Sequence, residues 1–261
     1  MAFSHTADDI TLGRSEIYFA PFLAGTTTPQ ATFEYIGNTP GFSLTAASTK
    51  LDHFSADRGV RVKDRSVITE VNYTGTMETD NMNFGNLAKF FLGAVSTVTR
   101  TSATGTVETF TDVTIPGLLQ LGVTPSNPQG DRNVTITSVA VGASTKVLGT
   151  DYEVDLAAGL VFIKPTGSSI LAGDDVVVTY NVAASTRTRV ISAGTEVKGA
   201  MKMLSFNPEG SHKDIMLPSV TLAPNGELAL KGEDWLTASF SLEVLAKNAS
   251  TAAVYIDGRP A

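Results

Sequence analysis

The chain has 261 residues, 42% of them hydrophobic and 17% charged, and carries a formal net charge of -7. That is the make-up of a folded globular protein with one large or two modest cores, and the acidity argues against tight, non-specific nucleic-acid binding, which needs clustered Lys and Arg. No cysteine is present, so disulfides, thiolate metal sites and cysteine nucleophiles are excluded.

The opening MAFSHTADD lacks the basic residues and apolar run of a secretory signal, and no apolar stretch reaches membrane-spanning length. The expectation is a chain made in a cytoplasm, without a membrane anchor. Thr, Val, Ser, Gly and Ala dominate and turn dipeptides recur at short intervals, which predicts an all-β fold.

In chain order, Glu16 to Ala24 predicts a strand ended near Pro21, and Phe33 to Ile36 a second, closed by Gly37-Asn38. Phe42 to Ala46 alternates and leads into KLDHFSADRGVRVKDRSV, residues 50–67, where charges of both signs crowd together around Leu51, Phe54, Val60 and Val62. This span is expected to be a long loop. The strand after it places Val67, Val71, Tyr73 and Met77 on one face and Glu70, Asn72, Thr74, Thr76 and Glu78 on the other.

Phe84, Leu87, Ala88, Phe91 and Leu92 fall at helical spacing, with Asn83 as N-cap and Gly93 at the C-terminal stop, so one helix is expected to plug a sheet. Residues 96–111 predict a linker or an irregular crossing. Residues 134–182 predict three or four short strands with turns at Ala158-Gly159 and Gly173-Asp174. The resulting division is a core domain of residues 1–100 and 188–261 and an inserted small antiparallel β unit of residues 105–187. Towards the C-terminus, Pro224-Asn225-Gly226 predicts a turn between the strands SVTLA and ELALK. A further strand, residues 235–247, would turn Leu236, Ala238, Phe240, Leu242 and Val244 one way and Thr237, Ser239, Ser241 and Glu243 the other.

Catalytic signatures are weak. His5, His53 and His212 share no metal-ligand spacing, no G-x-S-x-G elbow occurs, and neither a phosphate loop nor a dinucleotide fingerprint is present. The chain reads as a non-enzyme needing no cofactor. The aromatics Tyr18, Phe19, Phe22, Phe33, Tyr35 and Trp235 are expected in the core rather than along a ligand groove. The two strands with polar faces either look onto water or, if several copies close into a barrel, line its interior with small and acidic residues that repel DNA. The charged span is either a solvated loop or, because it exceeds what a hairpin turn needs, a surface that meets another copy head to tail.

Three segments carry a resemblance: LGRSEIYFAPF, FEYIGNTPGFSLTAASTKLDHFSADRGVRVKDRSV and ITEVNYTGTMETDNMNFGNLAKFFLG. Across residues 12–93, and more diffusely across 196–243, the chain resembles the major tail tube protein of long-tailed, siphovirus-type bacteriophages. The resemblance implies a β-sandwich or barrel with one flanking helix, assembled in the host cytoplasm into stacked hexameric rings of the virion tail. The tube would be a conduit for DNA, which passes without tight binding, and its partners would be the tape measure, tail terminator and distal tail proteins. By position, Lys50, Leu51, Asp52, Phe54, Asp57, Arg58, Arg61, Lys63 and Arg65 would form the contact between rings. Glu70, Asn72, Thr74, Thr76, Glu78, Thr237, Ser239, Ser241 and Glu243 would face the lumen, and the inserted unit would decorate the outside. The competing readings are the tube subunit of a contractile or secretion-type injection machine and a carbohydrate-binding β-sandwich of a virion.

Overall fold

The structure, a computed structural model, describes residues 10–57 and 59–260. It is all-β with one short helix. In chain order the elements are β1 (Ser15–Pro21), β2 (Glu34–Tyr35), β3 (Gly41–Ser55), β4 (Val62–Thr79), α1 (Phe84–Phe90), β5 (Ala94–Arg100), β6 (Ala103–Phe110), β7 (Gly117–Gln120) and β8 (Val134–Val141). There follow β9 (Ser144–Thr145), β10 (Tyr152–Asp155), β11 (Leu160–Ile163), β12 (Val176–Val182), β13 (Ser185–Ile191), β14 (Val197–Ser205), β15 (Lys213–Pro224), β16 (Ala238–Val244) and β17 (Tyr255–Gly258).

The chain divides into two compact units, one running to Ser96 and resuming at Val190, the other spanning Thr97–Arg189. β5 leads into the second unit and β13 leads out, and the two pair as a separate two-stranded sheet. Residues 96–111 therefore are neither a linker nor an irregular crossing but mostly strand. Their Thr and Val content reflects β-branched residues in β5 and β6.

The first unit is an eight-stranded antiparallel sheet in the order β2-β1-β14-β15-β16-β4-β3, with β17 also on β15. One face carries the core: Ile17 and Phe19 of β1, Met201 of β14, Leu217, Val220 and Leu222 of β15, Phe240 and Leu242 of β16, and Met77 of β4. Helix α1 covers it. Asn83 caps the helix by accepting the Asn86 N–H at 2.8 Å, as the sequence suggests. At the other end Leu92, not the glycine, takes the left-handed conformation, while Gly93 N–H reaches the Ala88 carbonyl at 2.8 Å. Gly93 is required for a different reason: a Cβ there would collide with the Ile191 carbonyl oxygen.

The buried face of α1 is also rotated from the expected one. Asn86, Ala88 and Phe90 are inside, Phe90 edge-on against Phe240 at 5.9 Å, whereas Phe84 and Phe91 are exposed. The buried Asn86 amide decides this rotation. It donates to the carbonyls of Ile36 at 2.7 Å and Asn81 at 2.8 Å, bonds that turning Phe84 or Phe91 inward would break, leaving a buried amide unpaired.

The second unit packs two sheets, β6-β12-β8-β9 and β10-β11-β7, about their own core. Its central strand β12 alternates strictly, burying Val176, Val178, Tyr180 and Val182. Polar groups inside are paired. Asp131 accepts Arg100 through both oxygens at 2.9 and 3.1 Å, and Asp151 accepts the backbone N–H groups of Val147 at 2.7 Å and Ser169 at 2.6 Å. Those N–H groups, Ser169 first, hold the Asp151 carboxyl below the ordinary aspartate range.

Candidate assembly surface

The charged span is not a loop. β3 and β4 pair from Gly41↔Glu78 out to Ser55↔Val62, and only residues 56–61 connect them, so the pair forms an arm that outruns its neighbours in the sheet. β16 accompanies β4 only as far as Val244↔Tyr73. Beyond that level every described residue of β4 from Val62 to Asn72 is exposed, as is every β3 residue from Thr45 to Phe54.

Two bulges in β4 set the chemistry of the arm. The register steps at Thr49/Lys50, where Thr69 is the extra residue, and at His53/Phe54, where it is Asp64. Each step reverses the in-out phase of β4. Val67, expected beside Val71, instead stands opposite Leu51 on the continuation of the polar face, while Ile68 joins Lys50 on the continuation of the core face. Period two held for sequence reading only up to the first bulge.

On the core-side surface of the arm, Asp52 accepts Lys63 Nζ at 2.7 Å and Ser66 Oγ at 2.7 Å, and the Arg61 guanidinium lies 5.2 Å over the Phe54 ring. Lys63, and then Ser66, hold the Asp52 carboxyl below its ordinary range. On the opposite surface Leu51 and Val67 are 68% and 63% exposed, and His53 Nδ1 meets Asp64 at 2.5 Å. Lys50, Asp57 and Arg65 are exposed along the arm and its tip. Arg58 lies outside the described residues.

At the level of the sheet, the polar faces of three strands coincide. Thr74 stands opposite Glu243, Thr76 opposite Ser241, and Glu78 opposite Ser239, while β3 adds Thr45, Ser43 and Gly41 in the same rows. Ser43 and Thr76 share a hydroxyl hydrogen bond of 2.8 Å. Glu70 and Asn72 continue this face onto the arm, joined by a 2.7 Å bond from the Asn72 amide. Thr237 is exposed just ahead of β16, because the strand is Ala238–Val244 and shorter than residues 235–247. The contribution of β3, down through Ala47 and Thr49, is the part sequence reading missed. Its signal was the alternation of GFSLTAAST, which continues past Ala46.

Trp235 is the clearest correction among the aromatics: it is 93% exposed rather than core. Tyr35 is exposed and its ring lies tilted against that of half-buried Tyr18, centroids 5.5 Å apart, while Phe19 is fully buried as expected. The stretch ELALK, residues 227–231, forms no strand. It belongs to a connection at residues 225–237 in which Leu228 packs on the core and Leu230 stands out at 72% exposure.

No group of three or more His, Asp or Glu that could hold a metal occurs among the described residues. His53 is taken up by Asp64 and His212 accepts the Asn207 N–H at 3.3 Å, whereas His5 lies outside the described residues. No described helix is long and apolar enough to cross a membrane.

No curated protein matches the chain. Residues 11–255 match the model of a family described as protein of unknown function UCP028589, and the chain belongs to that family.

Proposed function

We propose that this chain is a structural, self-assembling tube subunit of a phage-type tail, in which rings of copies stack through the β3–β4 arm and enclose a DNA conduit. The observation that carries the reading is the arm: two fully paired strands with Leu51, Phe54, Val67 and Ile68 exposed on their two faces and no core of their own. A two-stranded hairpin alone is marginal in water, and clustered exposed apolar side chains mark association surfaces. Full burial of those four is worth roughly 6–12 kcal/mol gross, at about 1.5–3 kcal/mol each. Bringing two bodies together costs an amount of the same order, ~4–15 kcal/mol. One arm therefore gives a weak contact, and arms repeated around a ring give a strong one.

Among the described residues strand β3 has no partner on its outer side in the sheet, an edge that a neighbouring copy would cover. In a closed ring Thr74, Thr76, Glu78, Ser239, Ser241 and Glu243 would line the bore, with Glu70 and Asn72 near its junction with the next ring. Carboxylates there would repel a passing phosphate backbone, and the small hydroxyls add no positive charge to hold it. The hexameric ring and the tape measure, terminator and distal tail partners come with the resemblance to tail tube proteins.

Negative-stain imaging of concentrated purified protein tests the reading. The expected result is rings or tubes of uniform width, lost in Phe54→Ala combined with Arg61→Glu while the subunit stays folded. A chain that remains single at every concentration removes the proposal.

A further inference from the structure

The connection between β15 and β16, residues 225–237, is far longer than the roughly 2–5 residues that joining two antiparallel neighbours requires. It is anchored at its base, where the Asn225 N–H bonds the Ser239 carbonyl at 2.9 Å and Leu228 packs on the core. Beyond that anchor it holds the chain's single tryptophan, Trp235, almost wholly in solvent, with Glu227, Glu233 and Asp234 exposed around it against one cation, Lys231. Tryptophan is among the residues most enriched in binding hot spots, and this one presents an aromatic knob within an acidic rim.

The arm has the complementary chemistry. Although the whole chain is acidic, residues 50–65 carry five Lys or Arg against three Asp. Asp52 is taken up by Lys63 and Asp64 by His53, and among the described residues Lys50 and Arg61 make no ion pair. Exposed Arg61 already lies over the ring of exposed Phe54. A guanidinium so placed binds a second aromatic ring well, tryptophan best of all, and an acidic rim suits it.

Knob and arm tip lie at opposite ends of one strand. Trp235 is three residues ahead of Ala238, which pairs with Thr79, the last residue of β4. Three extended residues span at most about 11 Å. From Glu78 back to Glu70, β4 pairs with β3 without a register step, a run of about 25 Å, and Phe54 and Arg61 lie farther out still. The loop therefore does not reach the arm tip of its own chain, whereas a copy stacked end to end brings the two together.

We propose that Trp235 of one copy seats on the Phe54–Arg61 pair at the arm tip of the copy stacked next to it, with Glu233 and Asp234 facing the arm's cations. The contact joins unlike ends of the subunit, so it is heterologous and repeats along the stack. It rests on the reading of the arm as the contact between rings and names what the arm meets.

The single tryptophan and the lack of cysteine make the test direct. In the full-length protein, emission from dilute samples should be that of a solvated indole and should move to shorter wavelength as concentration drives association, followed in parallel by sedimentation. Trp235→Ala, at an exposed site, should fold as judged by circular dichroism and should raise the concentration needed for association about thirtyfold or more. A second measurement mixes Asp57→Cys at the exposed tip with Gly232→Cys in the loop, where an added Cβ meets nothing. A short bismaleimide should then link one of each. If Trp235→Ala associates like the wild type, or associated chains give no mixed product, the arm meets another surface and the proposal falls while the tube reading stands. A wild-type chain that never associates overturns both. Emission already at short wavelength in dilute monomer means the chain covers its own tryptophan, and a shift on adding neutral oligosaccharide without a change in mass assigns Trp235 to sugar stacking. Either result overturns the proposal.

Discussion

Strand β12 of the inserted unit and the outer half of β4 each carry five β-branched residues and have opposite fates. β12 alternates buried and half-buried residues, and each large side chain meets a partner within its own unit. The outer half of β4 is as regularly paired, yet it buries nothing from Val62 to Asn72. Backbone pairing is thus satisfied in both places, but side-chain burial in only one. The inserted unit covers its large side chains by itself, whereas the arm's apolar side chains stay exposed.

The same chemical insult should therefore have different effects in the two places. The largest is expected from Val178→Asp, which puts a carboxylate at a site with 0% exposure; it should cost about 4 kcal/mol or more and unfold the inserted unit, read by urea denaturation of the whole chain. Next, Asp151→Asn should cost about 1–3 kcal/mol by turning an amide donor towards backbone N–H groups that need an acceptor. Because the folded Asp151 carboxyl sits below its unfolded value, its contribution is complete above about pH 4 and is lost as pH falls through the depressed folded value. The wild-type midpoint should therefore drop on acidification, and that component should be missing in Asp151→Asn. The smallest stability effect belongs to Leu51→Asp alone, about 1 kcal/mol or less, since that side chain is already 68% exposed and loses only its cross-strand contact with Val67. A large loss of stability there would mean that the arm is covered within its own subunit.

What could be read beforehand follows the same line. Strands in which one face is buried, such as β16 and the inner half of β4, announced their faces by alternation, because burial selects residue type at every second position. In the arm no burial acts within the chain, so charge and apolarity mix freely and the span looked like a loop. The bulges at Asp64 and Thr69 leave no mark in composition, and they alone moved Val67 across the ribbon. The helix was found by its spacing and capped where Asn83 suggested, but its rotation depended on the carbonyls of Ile36 and Asn81, which no local pattern contains. Trp235 was misplaced by a sound general preference for burying indoles, overridden here by a loop that carries it away from the core.

The pairing of β5 with β13 has a consequence for how such chains diversify. The polypeptide departs for the inserted unit and comes back along two hydrogen-bonded tracks, so the ends of the excursion are already neighbours. A tight reverse turn could splice them, and a foreign cassette of any size could take its place, without rethreading the strands on either flank.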